Sequence, residues 1–82
     1  MRVAVDLSLY PLDKDFIPPI QDVIDRLNGH DSIEVVTNPM STQIRGEFDD
    51  VMDILKLEIG ATFVRVPKSV FAIKILNNPL EE

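Results

Sequence analysis

The sequence contains no cysteine and only one histidine among its 82 residues. Without thiols the chain has neither a disulfide framework nor a thiolate zinc site, and this composition fits a reducing cytoplasm. His30 follows a predicted helix end, and no other residue has the spacing that a metal ligand would need. We therefore expect no bound metal, and we expect His30 to lie on the surface in a loop remote from the other polar candidates.

Long apolar runs, glycine-rich loops and basic clusters are also missing. No stretch approaches the roughly 20 apolar residues that span a bilayer, and no apolar leader follows the first two residues. These absences argue against a membrane partner. The three glycines stand apart, so no phosphate-binding loop is predicted. A net charge of −6 repels a phosphate backbone, so we expect no nucleic-acid partner.

The clearest pattern that is present is a strict alternation of large apolar residues with small or polar ones, which predicts a strand over residues 3–10. Alternate side chains of a strand point to opposite faces of the sheet. One face is wholly apolar and predicts the core side: Val3, Val5, Leu7 and Leu9. The other is small and polar and ends on an aromatic ring: Ala4, Asp6, Ser8 and Tyr10.

Periodicity then predicts two helices and three more strands. The first helix starts between Phe16 and Pro19 and ends at Asn28, and the second spans residues 47–59 and ends at Gly60. Strands are predicted at 33–37, 41–45 and 69–76, while 61–66 reads either as a linker or as an edge strand.

The order β-α-β-β-α-β is that of a ferredoxin-like α+β domain, with both helices on one face of a four-stranded antiparallel sheet. We predict one domain over residues 1–82, with a loose tail at 77–82, and strands one and three in the middle of the sheet. The third strand is polar, as is typical of an edge or of a site. The last strand is nearly all apolar, which suits a position covered on both faces. An apolar open face of the sheet favours homo-oligomerisation by sheet packing.

Candidate chemistry concentrates at the end of the first strand and at the turn after the second. Neutral donors and acceptors stand there beside an aromatic ring, which suits a flat heteroaromatic ligand. The candidate binding residues are Ser8, Tyr10, Asn38, Ser41 and Thr42, with Asp6 nearby. The alternative is that Ser8 and Thr42 simply face the sheet interface or water. No histidine is placed to activate a hydroxyl, so we expect a protein that is not an enzyme and has no catalytic residue.

These residues also carry a family resemblance. Ser-Leu-Tyr-Pro at 8–11, followed by Asp-Phe-Ile at 15–17, resembles a signature of the YkoF-like thiamine/hydroxymethylpyrimidine-binding family. Met-Ser-Thr at 40–42, with Arg-Gly at 45–46 and Asp-Asp-Val at 49–51, resembles its second signature. The resemblance covers most of the chain and implies a ferredoxin-like fold, no catalysis, and binding of thiamine or of its pyrimidine moiety.

By motif position, the resemblance implies that Ser8, Tyr10, Ser41 and Thr42 contact the ligand. Asp6 or Glu34 is a candidate to balance a thiazolium charge, on grounds of charge alone. A family member with two such units in tandem implies that this single unit forms a homodimer or homotetramer. We therefore expect a cytoplasmic binding protein without a cofactor, for storage, delivery or sensing. The alternatives are an oligomeric regulatory or interaction module that binds a different effector or none, and a subunit of an enzyme whose catalytic residues lie on a partner chain.

Overall fold

The computed structural model of the chain describes residues 1–77. Within them the elements are β1 (Arg2–Pro11), α1 (Ile17–Asn28), β2 (Glu34–Thr37), β3 (Thr42–Glu47), α2 (Phe48–Arg65) and β4 (Ser69–Asn77). The predicted β-α-β-β-α-β order is confirmed, and the fold is ferredoxin-like α+β. Apart from Asn77, which ends β4, the tail predicted at 77–82 lies outside the described residues.

The four strands form one antiparallel sheet in the order β2-β3-β1-β4. β1 and β3 occupy the middle, as predicted, because α1 carries the chain across β3 and α2 carries it across β1. The polar β3 is therefore central rather than at an edge. In the register of β1, Leu7 lies opposite Thr42 on one side and Ile73 on the other, and such directly paired residues share one face of the sheet.

The core lies between the sheet and the two helices. The alternation of β1 is confirmed, because each of its four apolar odd-numbered residues is buried. Opposite them, α1 contributes Val23 and Leu27, and α2 contributes a stripe centred on Val51 and Leu55. This single layer of apolar contact fixes which sheet face points inward, because a one-residue slip in register would turn every core side chain outward.

The second helix is longer than the sequence predicted. It continues through Gly60, whose position would leave an added Cβ in open space, and it ends only at Arg65, two residues before Pro67. Thr62 is buried against α1, and the ring of Phe63 lies 5.7 Å from that of Phe71. These contacts hold the last turns in helical form, so the 61–66 segment is largely helix and is neither a linker nor an edge strand.

The apolar β4 lies at an edge of the sheet, so the prediction that it is covered on both faces is wrong. Its odd-numbered residues 71, 73 and 75 lie opposite core residues of β1, and they are only partly covered. Its even-numbered residues point to the other side. We call the sheet surface opposite the helices the open face. By register it carries Arg2, Ala4, Asp6, Ser8, Tyr10, Glu34, Val36, Gln43, Arg45, Glu47, Val70, Ala72, Lys74 and Leu76.

Candidate ligand-binding cleft

A gap in the sheet forms the candidate site. β1 pairs with β3 only from Arg2 to Leu7, whereas its pairing with β4 continues to Pro11. The last residues of β1 therefore have no strand beside them on the β3 side. A cleft of about 160 Å³ lies here, between the end of β1, one face of α1 and residues 37–42. We refer to it as the cleft.

The turn between β2 and β3 is held by Asn38. Its side-chain Oδ1 accepts hydrogen bonds from the backbone N–H of Met40 at 2.8 Å and of Ser41 at 3.1 Å, and its own N–H donates to the Ser41 carbonyl. This is the local bonding through which Asn stabilises turns. Because Oδ1 is occupied, the part of the Asn38 side chain that remains for a ligand is its amide NH₂ group.

Two threonines lie at the base of the turn. Thr37 is opposite Thr42 in the hairpin, and their hydroxyl groups share a hydrogen bond across 3.3 Å. Thr42 is only 5% exposed and points to the helix side of the sheet, as does its neighbour Leu7. A hydroxyl that is this buried is fixed in place, so it presents a donor and an acceptor at a defined position.

The walls of the cleft are mainly apolar. Ile20, Val23 and Ile24 of α1 form one side. Tyr10 lines the other side at the mouth, where the residue is 56% exposed. A small cavity with an aromatic ring, an apolar wall and a few fixed polar groups is the usual form of a small-molecule site.

The structure brings five of the six predicted site residues together. Ser8, Tyr10, Asn38, Ser41 and Thr42 all line the cleft. Ser8 and Thr42 lie on neighbouring central strands but on opposite faces of the sheet, and they reach one cleft because β3 begins at Thr42.

Asp6 lies apart from the other five, in a separate depression of the open face of about 300 Å³. There it stands directly between Gln43 of β3 and Lys74 of β4. Its Oδ1 atom is buried and has no hydrogen-bond partner within residues 1–77. Glu34, the other acid considered for a thiazolium charge, is not among the residues of the cleft either.

Sequence reasoning missed part of the cleft lining. Thr37 falls in the predicted second strand, and the short hairpin connection places it opposite Thr42, so the sequence does contain a signal for its position. Ile20 and Ile24 fall on the apolar stripe of α1, whose helical spacing indicates core residues. They pack against the core, yet they also line the cleft. Met40, on the exposed side of the turn, also lines the cleft; it belongs to the second signature segment but is not among the predicted binding residues.

A second polar group lies between the helices. We call it the interhelical cluster: Asp22, Arg26, His30, Glu58, Thr62 and Arg65. Glu58 is only 6% exposed. Arg26 Nε donates to Glu58 Oε1 at 2.6 Å, His30 Nε2 lies 2.7 Å from Glu58 Oε2, and Arg26 Nη2 donates to Thr62 Oγ1 at 2.7 Å. Arg26 also pairs with Asp22, which Arg65 contacts at 2.8 Å.

Two opposing effects act on the charge of Glu58. Burial by itself raises its pKa, but hydrogen bonds from His30 and Arg26, together with their positive charges, lower it more. The pKa of Glu58 therefore lies below its ordinary value of 4.5. His30 is half-buried against this carboxylate, so the surface position that the sequence predicted for it is wrong, although it does stand away from the cleft.

Within the described residues, no group of three or more His, Cys, Asp or Glu side chains is arranged to hold a metal ion. No helix among residues 1–77 is long and apolar enough to cross a membrane.

Comparison with known proteins agrees with the fold and the motifs. The model of the YKOF-related family matches residues 2–75, and the chain belongs to this family. A solved Streptococcus pneumoniae protein is 27% identical, with a TM-score of 0.89 over 98% of this chain and 90% of that one. Among curated protein sequences, none matches.

Two further structures share the fold at lower identity. One is a Thermotoga maritima protein with a provisional assignment to thiamine biosynthesis or salvage, which is 20% identical, with a TM-score of 0.86 over 95% of this chain and 85% of that one. The other is a Methanocaldococcus jannascii protein, which is 23% identical, with a TM-score of 0.82 over 99% and 84%.

Proposed function

We propose that this protein binds thiamine through its hydroxymethylpyrimidine moiety, or binds that pyrimidine itself, without catalysing a reaction. The observation that carries the proposal is the cleft: a cavity the size of one ring, with an aromatic residue at its mouth and with two hydroxyl groups, of Ser8 and Ser41, that have no partner within residues 1–77. The family, and the provisional thiamine assignment of the Thermotoga maritima relative, support the same ligand class.

The size of the cleft favours a single ring. A cavity of about 150 Å³ in another protein takes up one benzene molecule, and the cleft measures about 160 Å³. The pyrimidine of thiamine matches this volume, whereas the whole two-ring molecule exceeds it. The remaining part of thiamine would therefore lie outside, past Tyr10 and Met40.

The polar groups of the cleft suit an aminopyrimidine. Within the described residues, the hydroxyl groups of Ser8 and Ser41 make no hydrogen bond of their own. With the amide NH₂ of Asn38 they offer both donors and acceptors, as an edge of ring nitrogens and amino groups requires. The Tyr10 ring can lie against the face of the heterocycle.

The two rings of thiamine differ in charge, because the pyrimidine is neutral and the thiazolium is cationic. The cleft is lined by neutral side chains throughout, and a charged group loses its hydration in such a site without gaining a counter-ion. The neutral pyrimidine is therefore the better occupant, and the cationic thiazolium stays in solvent. The overall charge of −6 still favours the approach of a cationic ligand.

The same lining supports binding over catalysis. General acid–base and nucleophilic mechanisms need a titratable group within hydrogen-bond reach of the reacting atoms. Apart from the phenol of Tyr10, which is 56% exposed, the cleft contains hydroxyl and amide groups but no carboxylate, imidazole or amine side chain, and His30 is paired with Glu58 elsewhere.

The proposal includes self-association and a cytoplasmic location. A homodimer or homotetramer is supported by the exposed apolar residues of the open face, since a patch of this kind usually marks an interface. The cytoplasm is supported by the cysteine-free sequence, which is compatible with a reducing compartment.

Thermal unfolding with and without ligand tests the function directly. We expect hydroxymethylpyrimidine and thiamine each to raise the midpoint. At about 100 times the dissociation constant a ligand stabilises the folded state by roughly 2.7 kcal/mol, which shifts the midpoint by more than about 10 °C in a domain of this size. Equal affinity for both ligands, measured by calorimetry, would place the pyrimidine ring in the cleft.

Ser8→Ala removes a hydroxyl from the cleft, and Ser32→Ala removes one from the exposed turn before β2. We expect the first substitution to weaken binding of the pyrimidine and the second to leave it unchanged. Absence of heat and of a thermal shift at millimolar concentrations of both ligands would refute the proposal. Binding of thiamine that does not require the pyrimidine would refute the assignment of the ring to the cleft.

A further inference from the structure

The first helix, α1, lies between the cleft and the interhelical cluster. Ile20 and Ile24 line the cleft, whereas Asp22 and Arg26 belong to the cluster. Residues two apart in an α-helix point about 200° away from each other, so these two pairs lie on opposite sides of α1. A shift of α1 toward or away from α2 therefore also changes the width of the cleft.

Local contacts hold the first turns of α1 weakly. Part of the surface of Ile20 and Ile24 faces the cavity instead of other side chains, which forfeits packing contacts there. The N-cap residue, Phe16, makes no side-chain hydrogen bond to the helix. Pro18 and Pro19 have no N–H to donate, and the hydrogen bond from the Ile20 N–H to the Phe16 carbonyl is long, at 3.4 Å. The position of these turns must therefore be fixed from elsewhere.

Contacts with α2 fix α1 on the side away from the cleft. Arg26 donates to Glu58 Oε1 at 2.6 Å, to the Glu58 carbonyl at 3.3 Å and to Thr62 Oγ1 at 2.7 Å. Arg65 donates to Asp22 Oδ2 at 2.8 Å. Because a guanidinium group is planar and rigid, several hydrogen bonds from one arginine define both a distance and a direction. These contacts join α2 to the same turns of α1 that carry the cleft wall.

We propose that Arg26 and Arg65 are positioning residues for ligand binding. Their contacts across the helix pair hold α1 at the distance from residues 38–41 at which the cleft admits one ring and excludes two. Neither arginine lines the cleft, so both act through α1 and not by touching the ligand. This inference rests on the proposed function, since it explains how that site selects a single ring.

Size selectivity distinguishes positioning from a purely structural role. A purely structural role would lower the free energy of unfolding and leave the affinity of the folded molecules unchanged. A positioning role changes both the affinity and the selectivity of molecules that are fully folded. Hydroxymethylpyrimidine and 4-aminoquinazoline measure the selectivity, because the second compound presents the same aminopyrimidine edge with an additional fused ring.

Arg65→Ala and Arg26→Lys are the test variants. Arg65 is exposed, so its removal leaves the fold intact. Arg26→Lys keeps a positive charge beside Glu58, but one ammonium group cannot reproduce the forked contacts to Glu58 and Thr62. We expect calorimetry to give a dissociation constant for hydroxymethylpyrimidine that is about twofold higher in Arg65→Ala and about tenfold higher in Arg26→Lys. The preference for hydroxymethylpyrimidine over 4-aminoquinazoline should fall in both.

Gln21→Ala and Lys56→Ala are the matched controls. Gln21 is exposed on α1 and donates to Asp25 of the same helix at 2.9 Å, and Lys56 is an exposed cation of α2. Neither residue lines the cleft, so we expect the affinity and the selectivity of the wild-type chain in both variants. Equal effects of Gln21→Ala and Arg65→Ala would overturn the proposal, as would unchanged affinity and selectivity in a folded Arg26→Lys.

A measurement without ligand separates this inference from the proposed function. Because the chain has no cysteine, Ile17→Cys and Met40→Cys provide specific sites for spin labels at positions that are 65% and 86% exposed, one on α1 and one on the turn after β2. We expect the distribution of distances between the labels to shift or broaden in Arg26→Lys and to stay unchanged in Gln21→Ala. An unchanged distribution in Arg26→Lys would overturn the proposal with or without a ligand. A changed distribution in a chain that binds neither compound would support the positioning of α1 and refute the proposed ligand.

Discussion

The cleft and the interhelical cluster are both built from polar side chains within packed parts of the molecule, but they differ in how those groups are satisfied. In the cluster, Glu58 receives hydrogen bonds from Arg26 and His30. In the cleft, the hydroxyl groups of Ser8 and Ser41 have no protein partner within residues 1–77. A satisfied buried network stabilises one arrangement of the helices, whereas unsatisfied groups are available to a ligand.

This contrast predicts the largest effect for Arg26→Ala. The substitution leaves Glu58 buried without its main counter-ion, and breaking a buried pair from one side costs about 3 kcal/mol of the free energy of unfolding. Arg65→Ala is the control, because that exposed side chain also contacts Asp22 and surface pairs contribute about 0–1 kcal/mol. Urea denaturation measures both, and equal losses would show that the cluster is not the stabilising network described here.

For Thr42→Val we expect a smaller loss of stability than for Arg26→Ala, together with a loss of ligand binding. The substitution removes a buried hydroxyl with little change of shape and leaves Thr37 accessible to water. Unfolding should become easier by about 1 kcal/mol or less. Binding of hydroxymethylpyrimidine, measured by calorimetry, should weaken about five- to tenfold, the equivalent of one hydrogen bond. A loss of stability with intact binding would show that Thr42 stabilises the fold and does not contact the ligand.

Acid should weaken the interhelical cluster, whereas the cleft has no carboxylate or imidazole to protonate. Because the pKa of Glu58 is lower in the folded protein than its ordinary value of 4.5, its contribution to stability is complete above that value and is lost as the pH falls through the folded pKa. We expect the free energy of unfolding of the wild-type chain to fall more steeply than that of Glu58→Gln between about pH 5 and pH 3. Parallel curves from urea denaturation would contradict this.

The smallest expected effect is that of an alanine in place of Gly60 in α2, the helix that carries Glu58 and Thr62. Gly60 lies within α2, and a Cβ there meets no atom within 4 Å, so Gly60→Ala should stabilise the fold by about 0.5–1 kcal/mol. At Gly46 a Cβ would lie 3.1 Å from Ile33 Cγ2 and 3.2 Å from Val51 Cγ2, so Gly46→Ala should destabilise it. Thermal unfolding distinguishes the two signs, and Gly60→Ala should leave ligand binding unchanged.

Sequence patterns were sufficient where a local rule and the fold agree. Alternation in β1 predicted its buried face. The two family signatures predicted four of the residues that meet in the cleft, and the polar residues at the turn after β2 added the fifth, Asn38. Prediction failed where contacts distant in sequence outweigh a local signal. Gly60 is a common helix end, yet Thr62 and Phe63 pack against α1 and β4 and extend the helix to Arg65. His30 looked like a surface turn residue because Glu58, its partner, is 28 positions away.

The sequence by itself determined the order of the elements, the inward face of β1 and the polar residues at the ends of β1 and β2, because these depend on periodicity and on turn chemistry over a few residues. Tertiary structure decided that β3 begins opposite Leu7 and so leaves a gap beside Ser8 and Tyr10. It also decided that Asp6, which shares a face of β1 with Ser8 and Tyr10, lies away from the cleft, and that Arg26 and His30 converge on Glu58. Strand register and helix packing depend on contacts between distant segments, and a single sequence contains no local pattern for them.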